Sequence, residues 1–229
     1  MRIRRAVRPL AWTLLACLLL TAGWAVYMVT DPLASHRQQA VQQQLHQQWR
    51  SAPPAAAVRA HLTAGDRGSG TRAAGSDPIQ LETSQPFALI RVPAFGRTWQ
   101  FAIVEGTGAS QLALGPGHVP GTGLPGRPGN FVVAAHDVTA GNPFLHLRIL
   151  HKPDKIYIRT RNYLYKYVVT SERVVKYTDV GVEYPVPGHP RQAPSRARIT
   201  LITCTPVTLA FTPWRIVVTG ELVRASARK

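Results

Sequence analysis

Thr200-Leu201-Ile202-Thr203-Cys204-Thr205-Pro206 is the stretch on which the fold turns. From Arg198 to Thr203 the residues are β-branched, apolar and alternating, as in a strand lying within a sheet. The run ends in a cysteine, and Pro206 two residues later cannot donate to a ladder and stops the pairing. A thiol therefore stands at the end of a rigid strand, an address that holds a side chain better than a loop does. A lone cysteine in a β-rich stretch is ordinarily a small buried hydrophobe, so a reactive reading needs support from the rest of the chain.

Outward from this stretch, the sequence from Ile79 alternates short apolar and aromatic runs with Gly and Pro punctuation. It predicts strands over Phe87–Val92, Trp99–Val104, Phe131–Ala135, Lys155–Arg159, Tyr163–Ser171, Arg198–Cys204 and Arg215–Val223. No long amphipathic helix separates them, which argues against a parallel α/β sheet and for a single all-β barrel or sandwich.

Two of the other strands also carry reactive groups at their ends. Phe131 to Ala135 runs into His136-Asp137, and Arg215 opens the last strand after Thr212-Pro213. Thiol chemistry needs these types. A free cysteine titrates near about 8.5 and requires a neighbouring cation or base to supply thiolate at neutrality. A histidine, titrating near about 6.5, suits protonation of a leaving amine. An arginine keeps its charge and donates hydrogen bonds to an oxyanion or a substrate carbonyl. Taken singly, His136 reads as a structural histidine and Arg215 as a surface charge; it is the shared placement that argues for function. Asp137 is not assigned as the orienting partner of His136, because adjacent strand residues point to opposite faces. The eight histidines include no HExxH, and His146 and His151 lack partners at metal spacing, so no metal is expected. Gly121–Gly123 does not link a strand to a helix and is no dinucleotide site; no cofactor is expected.

The chain has 229 residues and a formal charge of +16, with net +6 over residues 1–79 and +10 over residues 80–229. The second part has neither a block of consecutive basic residues nor aromatic-basic interleaving, so nucleic acid is not the expected partner. The charge suits anionic polymers or lipid, or a solvated surface. Leu10 to Thr30 contains no charged residue and follows Arg2, Arg4, Arg5 and Arg8. Some 20 residues at about 1.5 Å each span a bilayer core, and the arginines favour the cytoplasmic side. The expectation is a single uncleaved transmembrane anchor in the plasma membrane, N-terminus cytoplasmic and the remainder extracellular, in preference to a signal peptide or a lipoprotein signal at Cys17. Ser35 to Arg50 reads as a short helix with Val41, Leu45 and Trp49 on one stripe. Ser51 to Asp77 holds hardly any large apolar residue and is expected to be a flexible spacer. The only other cysteine, Cys17, falls in the expected anchor and cannot reach Cys204, which leaves an unpaired, oxidisable thiol outside the cell and favours a reactive role.

At these residues the chain resembles the sortases, cysteine transpeptidases of Gram-positive surfaces. Thr200-Leu201-Ile202-Thr203-Cys204 is similar to their TLxTC motif, and Ala134-Ala135-His136 resembles the strand end that bears their catalytic histidine. Arg215 stands at a family-like distance after the cysteine. The run from Gly115 to Gly126 resembles the loop before the histidine strand, and Thr178-Asp179-Val180 the segment before the cysteine strand. The likeness covers roughly residues 85 to 225. It departs from the pattern where Ala135 replaces a frequent glycine and where Asp137 follows the histidine. Acids are too sparse after Glu105 and around Glu183 to carry over the calcium site of some members.

The resemblance implies a closed eight-stranded β-barrel with short helices. It also implies a two-step acyl transfer: Cys204 attacks the Thr–Gly bond of an LPXTG- or LAXTG-like sorting signal, and His136 protonates the departing amine. The resulting thioacyl-enzyme passes the protein to an amine of a lipid II-type cell-wall precursor. Arg215 would hold the substrate backbone or the oxyanion, with Thr203 beside it in the substrate site. The Cys-Thr-Pro continuation and the basic, apolar N-terminus are most similar to class E sortases of high-GC actinobacteria. The implied partners are secreted proteins with a C-terminal sorting signal, the wall precursor and the membrane. The expected organisation is a basic tail over 1–9, an anchor over 10–30, a helix and linker over 31–78, and a catalytic domain over 79–229. Two alternatives remain: a pilin-polymerising sortase, and a non-catalytic membrane-anchored β-barrel that binds wall polymers.

Overall fold

Eight strands close on one another in the computed structural model, which describes residues 38–51, 83–205 and 212–228. Helix α1 spans residues 38–51. The strands are β1 (Pro86–Arg91), β2 (Gln100–Glu105), β3 (Gly117–His118), β4 (Gly129–Ala134), β5 (Lys155–Arg159), β6 (Tyr163–Lys176), β7 (Ala197–Thr205) and β8 (Trp214–Ala227). A one-turn-and-a-half helix α2 (Ala109–Leu114) and three 3-10 turns fill the connections. The order around the barrel is β1-β2-β3-β4-β7-β8-β6-β5, with β4 and β7 parallel and β7 and β8 antiparallel.

Period-two alternation decides what fills the barrel. Ile199 and Leu201 of β7, Phe131 and Val133 of β4, and Ile216 and Val218 of β8 point inward and are almost fully buried in one core. The intervening residues of the same strands face outward. Tyr167 closes the core from β6; burial pushes its phenol well above the ordinary range, and its hydroxyl accepts from the Gly126 N–H.

β3 exists because of a glycine. A Cβ on Gly117 would fall 2.1 Å from the Gly106 carbonyl oxygen, too close for any side chain. With none, this two-residue strand pairs in parallel with β2 and antiparallel with β4. The loop after it is pinned by His118, 3% exposed. Its Nδ1 lies 2.6 Å from Glu105 Oε2, and its Nε2 lies 2.9 Å from Thr122 Oγ1 and 3.2 Å from the Gly123 carbonyl.

Helix α1 lies on the outside of β1 and β2. Leu45 and Trp49 bury themselves against the outward residues Leu89, Ala102 and Val104. β3 pairs only with the end of β2, so the Ala102 N–H has no strand partner on that side; it donates to Gln42 Oε1 at 2.9 Å. Gln38 and Gln42 both donate to the Leu114 carbonyl at the end of α2. At the other end, Arg161 donates to the Trp49 and Arg50 carbonyls at 2.8 and 3.0 Å, placing a cation at a helix C-terminus.

The expected barrel and its seven strands are present, and the eighth, β3, is too short to show as a pattern. The Val41, Leu45, Trp49 stripe packs on the barrel, and its helix runs through Ser51, the first residue of the expected spacer. The expected anchor over 10–30, the first residues of the helix expected from Ser35 and the spacer from residue 52 to 77 lie outside the described residues. Among the described residues no helix is long and apolar enough to cross a membrane.

Candidate active site

The register between strands brings Cys204, His136 and Arg215 side by side. β4 and β7 run parallel from Gly129 beside Ala197 to Ala134 beside Ile202. The pairing continues past the end of β4: the Ala135 N–H donates to the Ile202 carbonyl at 3.1 Å, and Thr203 Oγ1 donates to the Ala135 carbonyl at 2.7 Å. One residue further, His136 falls beside Cys204. On the other side of β7, Cys204 is paired directly with Arg215. Neighbouring strands lie about 4.8 Å apart, so the imidazole and the guanidinium each belong to the strand next to the thiol.

Alternation puts all three on the same face. Phe131, Val133 and Ala135 point into the core, as do Ile199, Leu201, Ile216 and Val218, which leaves His136, Cys204 and Arg215 on the outward side at one end of the barrel. Each is half-buried, and Cys204 is a free thiol. Thr203, on the inward side, is 4% exposed and spends its hydroxyl on Ala135. It ties the residue before the histidine to the residue before the cysteine.

The electrostatics of the thiol are divided. Burial pushes the Cys204 thiol above the ordinary cysteine range, the Arg215 guanidinium pulls it down, and the Asp137 carboxylate pushes it up again. Arg215 is itself tethered: its Nη1 donates to the Thr212 and Trp214 carbonyls at 2.7 and 2.8 Å, and its Cζ lies 5.9 Å from the Tyr177 ring centroid. The turn before β8 is closed by Thr212, whose Oγ1 donates to the Thr205 carbonyl at 2.6 Å.

Below the thiol on the same outward face, Thr200 Oγ1 donates to Asn130 Oδ1 at 2.7 Å. Asn130 Nδ2 in turn donates to the Val182 and Tyr184 carbonyls at 2.9 and 3.2 Å. These bonds fasten the 3-10 turn Val180–Glu183, capped by Asp179, against β4 and β7. Among the described residues no group of three His, Cys, Asp or Glu side chains is placed to hold a metal ion.

Asp137, not assigned as the partner of His136, lies near enough to Cys204 to influence its charge. β4 ends at Ala134 and Asp137 sits in the bend beyond, where among the described residues it makes no ion pair with His136. It is buried, and its charge acts on Cys204.

A cysteine and a histidine at the ends of adjacent parallel strands of a closed eight-stranded barrel, with an arginine across from the cysteine, form a site with the groups that thiol chemistry requires. The sortase domain family matches residues 90–223, and the chain belongs to the sortase family. It is 32% identical over 188 residues to sortase SrtE1 of Streptomyces coelicolor, covering 75% of this chain and 51% of that protein, so it spans about half the length of that relative. Among solved structures it is similar to sortase E from Streptomyces avermitilis, with a TM-score of 0.57 and 32% identity over 64% of this chain and 93% of that one. It is similar too to sortase E1 from Streptomyces coelicolor with a tripeptide in the active site, with a TM-score of 0.56 and 30% identity over 63% and 92%.

Proposed function

We propose that this protein cleaves a sorting signal of the LAXTG or LPXTG type between Thr and Gly and transfers the acyl group to an amine of a cell-wall precursor. The observation that carries the reading is the placement of Cys204 between His136 and Arg215 on one outward face, by strand register and alternation. Cys204 is the nucleophile. Its thiolate attacks the Thr carbonyl carbon, and the tetrahedral oxyanion that forms beside it is met by the Arg215 guanidinium. His136, as imidazolium, gives its proton to the departing Gly amine, leaving a thioester on Cys204 and a neutral imidazole. An incoming amine then attacks the thioester, and its surplus proton returns to His136. Thr203 serves the site by holding the two strand ends together; expected beside Arg215 in the substrate site, it instead points inward, buried, with its hydroxyl on the Ala135 carbonyl. The tripeptide in the active site of the related sortase E1 supports a short peptide as ligand at this position.

The apolar run Leu10 to Thr30 and the arginines before it support a plasma-membrane anchor with the barrel outside the cell, where secreted substrates and wall precursor meet. The test incubates the full-length chain with LAXTG and LPXTG peptides and an amine acceptor, beside Cys204→Ala. Cleavage at Thr–Gly with amide formation, lost in the variant, is the expected result. Equal behaviour of the two proteins would leave a wall-polymer binding module as the better reading, and cross-linked protein ladders with a lysine-bearing partner would make it a polymerising sortase.

A further inference from the structure

A cluster of arginines at the end of the barrel away from Cys204 takes no part in the chemistry above. β5 ends at Arg159, and the Arg228 N–H, just past β8, donates to the Asn162 carbonyl of the β5–β6 turn at 2.9 Å. The C-terminus of α1 meets them there, with Trp49 at the centre. The Cζ of Arg159 lies 5.0 Å from the Trp49 ring centroid, and that of Arg228 lies 5.9 Å from the same centroid. The ring attracts each guanidinium but does nothing to offset the repulsion between them. Burial, then Arg228, then Arg50 draw Arg159 below the ordinary guanidinium range; burial, then Arg159, then Arg50 lower the His46 imidazole.

Nothing in the described residues answers this charge. The ion pairs there use Glu105, Asp154 and Glu221, all with other partners. Of five buried side-chain atoms left without a hydrogen bond, three are in this cluster: His46 Nε2, Trp49 Nε1 and Arg159 Nε. Those atoms are closed to solvent and are no ligand contacts, but they show that the fold provides no internal acceptor here. The water-facing side is open. Arg50 and Arg228 are exposed and Arg159 is half-buried. Arg228 Nη1 donates to the Thr160 and Arg161 carbonyls at 3.2 and 3.4 Å, which fixes it over the turn. The Arg50 guanidinium makes no hydrogen bond among the described residues. A bare helix C-terminus would repel an anion; Arg161, by taking the Trp49 and Arg50 carbonyls, offsets that field.

We propose that Arg50, Arg159 and Arg228 form a phosphate-binding site around Trp49, at the opposite end of β8 from Arg215 and the thiol. Guanidinium groups match phosphate oxygens in geometry as well as charge, and a tetrahedral phosphate turns its oxygens toward more than one of them. A lipid headgroup and a free phosphate share this chemistry. The inference is independent of the transpeptidase reading.

The test titrates the full-length chain, in an uncharged detergent at low ionic strength, by calorimetry. The probes are inorganic pyrophosphate, dihexanoylphosphatidylglycerol, and dihexanoylglycerol, which lacks the phosphate. Binding of one or both phosphate probes and not of dihexanoylglycerol is the expected result. Binding of the lipid alone assigns a headgroup, and binding of pyrophosphate as well assigns the phosphate itself. Arg50→Gln and Arg228→Gln should each weaken binding about tenfold, the worth of one charge-assisted hydrogen bond. Arg148→Gln, which removes an exposed charge from a different part of the surface, should change it less than about twofold. The Arg50 side chain holds nothing in the fold, so Arg50→Gln should keep the wild-type denaturation midpoint and peptide cleavage. No binding of either phosphate probe, equal binding of dihexanoylglycerol, or an equal loss in Arg148→Gln would overturn the site.

Discussion

Residue 204 is a thiol whose surroundings pull in opposite directions, and that fixes its pH behaviour. Burial is the largest influence and holds the proton on; Arg215 opposes it and Asp137 reinforces it. The thiolate fraction therefore rises with pH through a midpoint above that of free cysteine. Alkylation by iodoacetamide across pH reads this directly. Removing the cation in Arg215→Ala should move the midpoint up, and removing the anion in Asp137→Asn should move it down. Coincident curves for the three proteins would contradict the assignment of neighbours. Thr203 makes a separate prediction. Thr203→Val keeps the volume but leaves the buried Ala135 carbonyl without its 2.7 Å donor. That should cost about 1–3 kcal/mol, seen as a lowered denaturation midpoint, and should slow acylation by loosening His136 relative to Cys204. An unchanged midpoint would show that the bond is replaced.

At the scale of elements, α1 works as an edge cover. Gln42 takes the Ala102 N–H that β3 is too short to reach, and Trp49 and Leu45 cover the outward side of β1 and β2. Covering an open edge in this way is how sheets avoid pairing with other chains. Trp49→Ala should destabilise the docked helix by about 3–5 kcal/mol. Amide hydrogen exchange at Ala102 should rise sharply if α1 is released, while amides in β7 stay protected; protection retained at Ala102 would show that Gln42 holds the edge alone. The same elements show what sequence can and cannot reveal. The alternating runs that become β1, β2, β4, β5, β7 and β8 were visible because each has one face in the core. The tail of β6 from Glu172 to Lys176 was not, because it pairs with the start of β8 while remaining largely exposed. β3 was hidden for another reason: a two-residue strand enabled by a missing Cβ has no periodicity to read.

At the scale of the whole molecule, the three chemical groups were legible as types at strand ends, and the resemblance supplied their order. What no single stretch contained was the register. That His136 falls beside Cys204 depends on β4 lying parallel to β7, a pairing of segments 68 residues apart in sequence. That all three face outward depends on which alternate residues the closed barrel swallows. Asp137 was set aside as the partner of His136, and among the described residues no ion pair or hydrogen bond joins the two. The proposed function turns on a covalent bond at one sulfur. The most direct test is intact-mass and peptide mapping of the full-length chain quenched during turnover of an LAXTG peptide. The account predicts a mass increase equal to the acyl fragment ending in Thr, hydroxylamine-labile and mapped to Cys204. A chain that turns over the peptide with no adduct, or with an adduct elsewhere, would contradict it.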